Sequence, residues 1–198
     1  MAAVADGSGC ARYTFRLRVS ATASRGLLAE WDRCRWVWNQ CVAESKAAFK
    51  AGEPCGPAGL DRKLTEWRGE REWLSAGSSV PQQQTIRDYA KSRSKAISDI
   101  KARLPVKRRA GMPGFKRKHL SAPTLNFTRR GFRVKDGRLQ LAGGISVSVV
   151  WSRQLPSDPS SVRVYRDSLG HWYASFVIPT QIAPLPKTGA VIGVDWGV

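Results

Sequence analysis

Arg12-Tyr13-Thr14-Phe15-Arg16-Leu17-Arg18-Val19 alternates without a break, with Tyr13, Phe15, Leu17 and Val19 on one side and Arg12, Thr14, Arg16 and Arg18 on the other. A period of two is that of a strand with one face buried and one in water. The period then changes. Ser24 reads as the N-cap of a helix over 24–50, whose apolar stripe (Leu27, Trp31, Cys34, Val37 or Trp38, Cys41, Ala48) advances in steps of three and four. Residues 51–59, rich in Gly and Pro, read as a loop, and a second helix over 61–74 brings Leu60, Leu64, Trp67 and Leu74 to one side. Ser79 with Gln82 three residues on resembles a capping box, and Pro81 is tolerated in a first turn. The third helix is expected to run to Leu104 with Ile86, Tyr89, Ile97, Ile100 and Leu104 inward, and Pro105 closes it.

Beyond Gly111 the two-residue period returns. Segments 125–128, 131–135 and 138–141 are short strand candidates, and Asp136-Gly137 is a hairpin signal between the last two. Ile145, Val147, Val149 and Trp151 alternate with Ser146, Ser148 and Val150, while 162–166 and 171–178 flank a second hairpin turn at 167–170. A strand that opens the chain and strands that return after three helices make one β-unit interrupted by a helical insertion. Short antiparallel strands with regular turns favour a small barrel, so the fold class is α+β. No internal repeat is detectable.

The chain has 198 residues, 42% hydrophobic and 24% charged, which suits one or two globular domains and excludes wholesale disorder. No apolar run approaches the roughly 18 residues of a membrane span, and Met1 to Phe15 lacks the apolar core of a secretion signal. The expected compartment is the cytoplasm, with no membrane partner. Thirty-three Lys and Arg against 15 Asp and Glu give a net charge of +18. A polyanion neutralises such a charge best, so nucleic acid is the default partner; an anionic membrane surface usually needs a basic amphipathic anchor, and none stands out. The charge is also concentrated. Between Lys91 and Arg138 lie 16 basic residues and only two acids, Asp99 and Asp136, which carries +14 of the +18. A merely soluble face mixes signs, because like charges one helical turn apart repel.

Four cysteines, Cys10, Cys34, Cys41 and Cys55, form no Cys-x-x-Cys pair, and His119 and His171 stand at no zinc-finger spacing, so no zinc site is expected in this chain. Cys34 and Cys41 share a helical stripe and read as small core residues. Near the end, Ala190-Val191-Ile192-Gly193-Val194-Asp195-Trp196-Gly197-Val198 is an apolar strand with one carboxylate. A buried Asp there needs positive compensation, as a metal ion would give, or it is a turn residue at a strand end. Nuclease chemistry with two metal ions takes several carboxylates, and Asp195 is one.

Taken in order, these pieces resemble the N-terminal half of the TnpB (OrfB) family of transposon-encoded RNA-guided DNA endonucleases, relatives of the type V CRISPR effectors. Tyr13-Thr14-Phe15-Arg16-Leu17 resembles the family's opening strand, and Arg33-Cys34-Arg35-Trp36-Val37-Trp38-Asn39 its first helix. Leu64-Thr65-Glu66 with Trp73-Leu74 resembles the second helix, and Val80-Pro81-Gln82-Gln83-Gln84 the start of the third. Gly114-Phe115-Lys116-Arg117-Lys118, Arg138-Leu139-Gln140-Leu141 and Gly170-His171-Trp172-Tyr173-Ala174-Ser175-Phe176 follow, then Ile192-Gly193-Val194-Asp195-Trp196-Gly197-Val198, which is similar to the first motif of the RuvC-like nuclease.

The resemblance implies a wedge-type antiparallel barrel (1–22 and 111–186), an inserted helical recognition bundle (23–110), and at 187–198 the first strand of an RNase H-like nuclease domain, truncated. It implies a guide RNA from the transposon end and a double-stranded DNA target as partners. Asp195 would be the first of three acidic ligands for Mg2+ or Mn2+ in a complete nuclease, and zinc would belong to a C-terminal ribbon absent from this sequence. Gln83 and Thr128 match positions that contact target-adjacent duplex, or are solvated polar residues. Lys107, Arg108 and Arg109, with Lys116, Arg117 and Lys118, would contact phosphates, as would Arg129 and Arg130. Phe115 would stack on a base or anchor its loop in the core. The leading expectation is the recognition half of such an endonuclease, unable to cleave alone. The alternative is a non-enzymatic RNA- or DNA-binding regulator built from the same module.

Overall fold

A computed structural model describes residues 8–181. Seven strands, β1 (Ser8–Arg18), β2 (Thr124–Thr128), β3 (Phe132–Lys135), β4 (Arg138–Leu141), β5 (Ile145–Val149), β6 (Ser161–Arg166) and β7 (Trp172–Gln181), pair antiparallel throughout in the order β2-β6-β7-β1-β5-β4-β3. The opening strand joins the two halves of the sheet. Gly9 to Arg16 pairs with β7, in register Phe15↔Ala174, and its last residues cross to β5, with Leu17↔Val149. The two edge strands are consecutive in the chain, linked by a 3-10 turn at Arg129–Gly131, so the sheet curls into a nearly closed barrel. Inward residues of both halves, Phe15, Leu17, Phe127, Leu139, Val147, Val164 and Phe176 among them, form one core. Asp136 and Gly137 both take positive φ, 51° and 71°, as a two-residue hairpin requires.

Helices α1 (Ala21–Ala51), α2 (Pro57–Glu70), α3 (Glu72–Ser75) and α4 (Ser79–Lys101) intervene between β1 and β2. Helix α1 is shared between two cores. Ala23, Leu27, Trp31 and Cys34 enter the barrel core, while Val37, Trp38, Cys41 and Val42 meet Leu60, Leu64, Trp67, Leu74, Ile86 and Tyr89 in a second, helical core. Gly26 allows the close approach of α1 to the barrel, since a Cβ there would lie 3.1 Å from Ile145 Cγ1.

Four local expectations are corrected. The cap of α1 is Ser20, whose Oγ accepts from the Ala23 amide at 3.2 Å; it precedes Ser24 in the chain, and the Ser24 amide already makes an intrahelical bond to Ser20 O. The 61–74 helix starts earlier, with Pro57 in its first turn, and breaks at Arg71. Arg68 makes that break affordable by donating to the carbonyls of Leu74, Ser75 and Gly77 at 3.1–3.2 Å. The cap of α4 is Ser78, not Ser79, and Gln82 is no capping residue. Its side chain is fully buried, donating to Leu74 O at 3.0 Å and accepting from Arg68 at 2.7 Å. Finally, Ile100 lies 47% exposed and Asp99 points inward in its place, because its carboxylate accepts from Lys95 Nζ at 2.7 Å and from the Ala110 amide at 2.9 Å. Arg103, at φ 53°, ends the helical run before Pro105.

Candidate nucleic-acid interface

Beyond α4 the basic stretch folds into three separate settings. Lys107 and Arg108 lie exposed on a 3-10 turn, Val106–Arg108, that leaves the end of α4. Arg109 donates through Nε to Leu104 O, so its guanidinium is partly spent on its own loop. The next residue is tied back through Asp99, whose carboxyl is held below its usual range by the hydrogen bonds from Lys95 and Ala110.

Residues 114–118 cross α1 and are tied to it. Trp38 Nε1 donates to Gly114 O at 2.9 Å. Asn39 takes both sides of Lys116, accepting from its amide at 2.8 Å and donating to its carbonyl at 3.1 Å. The Lys116 ammonium sits 3.8 Å from the Trp38 ring centroid and 5.3 Å from that of Trp31. Burial pushes its pKa below the usual lysine value, opposed by the negative charge of Asp88. Lys118 reaches Asp32 at 3.4 Å, and Arg117 is exposed. Phe115 is no core anchor: it is 54% exposed, with Lys46 Nζ 4.8 Å from its ring centroid.

Beside the barrel's open seam, Arg129 pairs with Asp158 at 3.0 Å where both are well exposed, an interaction of little net strength, and Arg130 is exposed. Arg129, Arg133 and Lys135 line a surface hollow of about 450 Å³ along β3. Gln83 is exposed early in α4, and Thr128 is half-buried at the end of β2 opposite Ser161. The two elements pack together: a Cβ on Gly131 would meet Val80 of α4 at 2.7 Å, and Asn126 of β2 donates to Asp88 of α4.

The structure adds residues that the sequence reading missed. Lys46 beneath Phe115 is one. Arg153 is another, exposed and 5.2 Å from the Tyr13 ring centroid. Asn39 is the clearest, since its signal was in the sequence: Asn is a poor helix former, and one placed mid-helix invites a search for what its amide holds.

Asp195 lies outside the described residues, with all of 187–198. Among the described residues no group of three or more His, Cys, Asp or Glu is placed to hold a metal ion, so they do not fit a two-metal site. Cys34 and Cys41 are buried in different cores. No helix among the described residues is long and apolar enough to cross a membrane.

No family model matches the chain. It is 34% identical over 140 residues to a Streptomyces pristinaespiralis protein named "Putative RNA-guided DNA endonuclease", an alignment covering 68% of this chain and 33% of that protein. It is 25% identical over 190 residues to an Escherichia coli (strain K12) protein named "Putative RNA-guided DNA endonuclease InsQ", covering 94% of this chain and 45% of the relative. The chain thus spans less than half the length of either curated relative. On the similarity to these relatives, the chain belongs to the TnpB (OrfB) family.

Proposed function

We propose that this chain supplies the nucleic-acid-recognition part of a transposon-encoded RNA-guided DNA endonuclease, binding a guide RNA from the transposon end and the duplex beside a DNA target. The observation that carries the reading is the stretch from Lys91 to Arg138, where 16 cations face two acids and most of the cationic heads stand at the surface. Cations so arranged bind phosphates without reading sequence, and pairing to the guide supplies the sequence. Gln83 and Thr128, on packed elements, would contact base edges of the target-adjacent duplex. Phe115, exposed beside Lys46 and Arg117, would stack on an unpaired base.

Asp195 would be one metal ligand of the complete nuclease, binding Mg2+ or Mn2+, and a zinc ribbon would lie in residues that this sequence does not include. One carboxylate does not make a two-metal site, so the chain is expected to bind without cutting. The test pairs two assays on the purified chain. Binding to labelled guide RNA and target duplex is expected to weaken steeply with salt, and incubation of the guide-loaded chain with target and Mg2+ is expected to leave the DNA intact. Salt-independent binding removes the reading. Cleavage overturns the expectation that the chain does not cut. A regulator built from the same module would bind equally well, and cleavage by a longer chain that carries further acids separates the two.

A further inference from the structure

Gly114-Phe115-Lys116-Arg117-Lys118 and the Trp38-Asn39 pair of α1 are 76 or 77 residues apart in sequence and meet through three hydrogen bonds. Two of these come from one side chain. The Asn39 carboxamide offers an acceptor to the Lys116 N–H and a donor to the Lys116 C=O, as a neighbouring strand would. Such a bidentate clasp fixes the residue's backbone, and with it the directions in which the side chains on either side can leave. The inward side chain is that of Lys116, whose ammonium rests on Trp38 and near Trp31. On either side of it Phe115 and Arg117 are exposed. Lys118 is half committed to Asp32.

We infer that residues 114–118 form a strap whose cations have different jobs: Lys116 is an internal fastening to α1, Arg117 is the phosphate-contacting charge, and Asn39 is the positioning residue that enforces the division. The inference rests on the nucleic-acid reading above for what Arg117 touches. The clasp itself rests only on the geometry. Lys116 belongs to the run of basic residues expected to meet phosphate, and the structure gives its charge another occupant. Moving its ammonium from the Trp38 face to a phosphate would forfeit a cation–π contact at 3.8 Å.

The test uses the full chain and two readouts. The first is the slope of log binding constant against log salt for a fluorescein-labelled single-stranded RNA of mixed sequence. Arg117→Ala is expected to reduce the slope by about 0.7, one phosphate's worth on a single strand. Lys116→Met, which keeps an unbranched stem on Trp38 and removes the charge, is expected to leave it unchanged. Asn39→Ala removes no charge, yet is expected to reduce the slope about as much as Arg117→Ala, because Arg117 is no longer presented. The second readout is hydrogen exchange at the Lys116 amide, protected in the wild type and faster by about tenfold in Asn39→Ala. Asn39→Asp keeps the acceptor and loses the donor, and should fall between. Equal slope losses in Lys116→Met and Arg117→Ala overturn the division of labour. An unprotected Lys116 amide in the wild type, or an unchanged slope in Asn39→Ala, overturns the clasp. If the wild type binds no RNA at all, the nucleic-acid reading has failed instead, and the exchange measurement alone decides the clasp.

Discussion

Toward its start α1 sends Leu27, Trp31 and Cys34 into the barrel; past Val37 the same helix sends Trp38, Cys41 and Val42 into the core it shares with α2 and α4. The barrel side is apolar, filled by aromatic and aliphatic residues from alternating strands, with Phe176 near Phe15, Phe132 and Trp151. Polar groups mark the junction of the two. Glu30, 3% exposed, is 2.8 Å from Arg33 and accepts from the Ser78 amide at 3.2 Å, and a Cβ on Gly143 of the β4–β5 turn would lie 3.6 Å from it. Arg33 also donates to Trp73 O at 2.7 Å. Each region thus has its own apolar core, and a directional polar network at the seam fixes how the regions meet. Specificity of that kind comes from buried polar groups that only one arrangement satisfies.

The largest effect tests whether the two cores are one cooperative unit. Phe176→Ala removes a fully buried ring and should cost about 3–5 kcal/mol, and Ile86→Ala in the helical core about 2–5 kcal/mol. Because α1 runs unbroken through both cores, each variant should shift a single urea transition. Two thiols report locally: burial pushes Cys34, in the barrel core, and Cys41, in the helical core, up to about 12, so each reacts only when its core opens, whereas exposed Cys10 reacts at once. In Phe176→Ala, Cys34 and Cys41 should label at equally increased rates. Faster labelling of Cys34 alone would split the molecule into two units.

Next comes the seam. Glu30→Ala leaves Arg33 and the Ser78 amide without their acceptor and should cost about 3 kcal/mol. The pH dependence has a definite sign. Burial raises the Glu30 pKa from 4.5 despite the opposing Arg33 charge, so the folded state holds this proton more tightly than the unfolded one. The contribution is therefore greatest below the unfolded value and is lost as the pH rises through the folded one. Urea midpoints of wild type should fall relative to Glu30→Gln as the pH rises above the unfolded value of 4.5. The opposite trend would mean that Arg33 and Arg68 outweigh desolvation.

The same division explains what could be read from the sequence. The strands were legible, since Phe15, Leu17 and Val147 alternate with outward polar residues and every turn carries its Asp or Gly. The helical stripe of α1 was legible for the same reason. Misreadings gather where polar side chains take inward positions: Gln82 in place of a cap, Asp99 in place of Ile100, and the break at Arg71 that Arg68 compensates. Nothing in local periodicity distinguishes a Gln that caps from one that bonds a carbonyl eight residues back. At the candidate interface the concentration of charge was evident, but which cation is free was not, because the partners of Lys116 and Lys118 lie on α1, far off in sequence.

A smaller effect is expected where barrel and helices touch without polar partners. Gly131 sits between β2 and β3, and a methyl there would approach Val80 Cγ1 to 2.7 Å and Phe127 Cδ1 to 3.0 Å. Gly131→Ala should cost about 1–3 kcal/mol by overpacking. The relief is to push the start of α4 away from the barrel, so it should also loosen the Ser78–Glu30 contact, and a double variant with Glu30→Ala should cost less than the sum.

The smallest effect belongs to the hairpin between β3 and β4, which is far in sequence from the helical insert and tests the barrel alone. Asp136 holds φ 51° and Gly137 φ 71°, the two left-handed positions of a tight hairpin. Asn suits the first of them better than Asp does, so Asp136→Asn should add about 0.3 kcal/mol. Charge works against it: Asp136 is one of two acids in the basic stretch, flanked by Lys135 and Arg138, and removing it takes the chain from +18 to +19. The two effects separate with salt. At low ionic strength the lost attraction offsets the better turn, and the variant should match the wild type; at about 1 M salt the Debye length falls to about 3 Å, and the gain from the turn should stand alone. Chloride or sodium titration of the urea midpoint reads this directly. A gain that shrinks with added salt would show that the carboxylate repels more than it attracts at this turn.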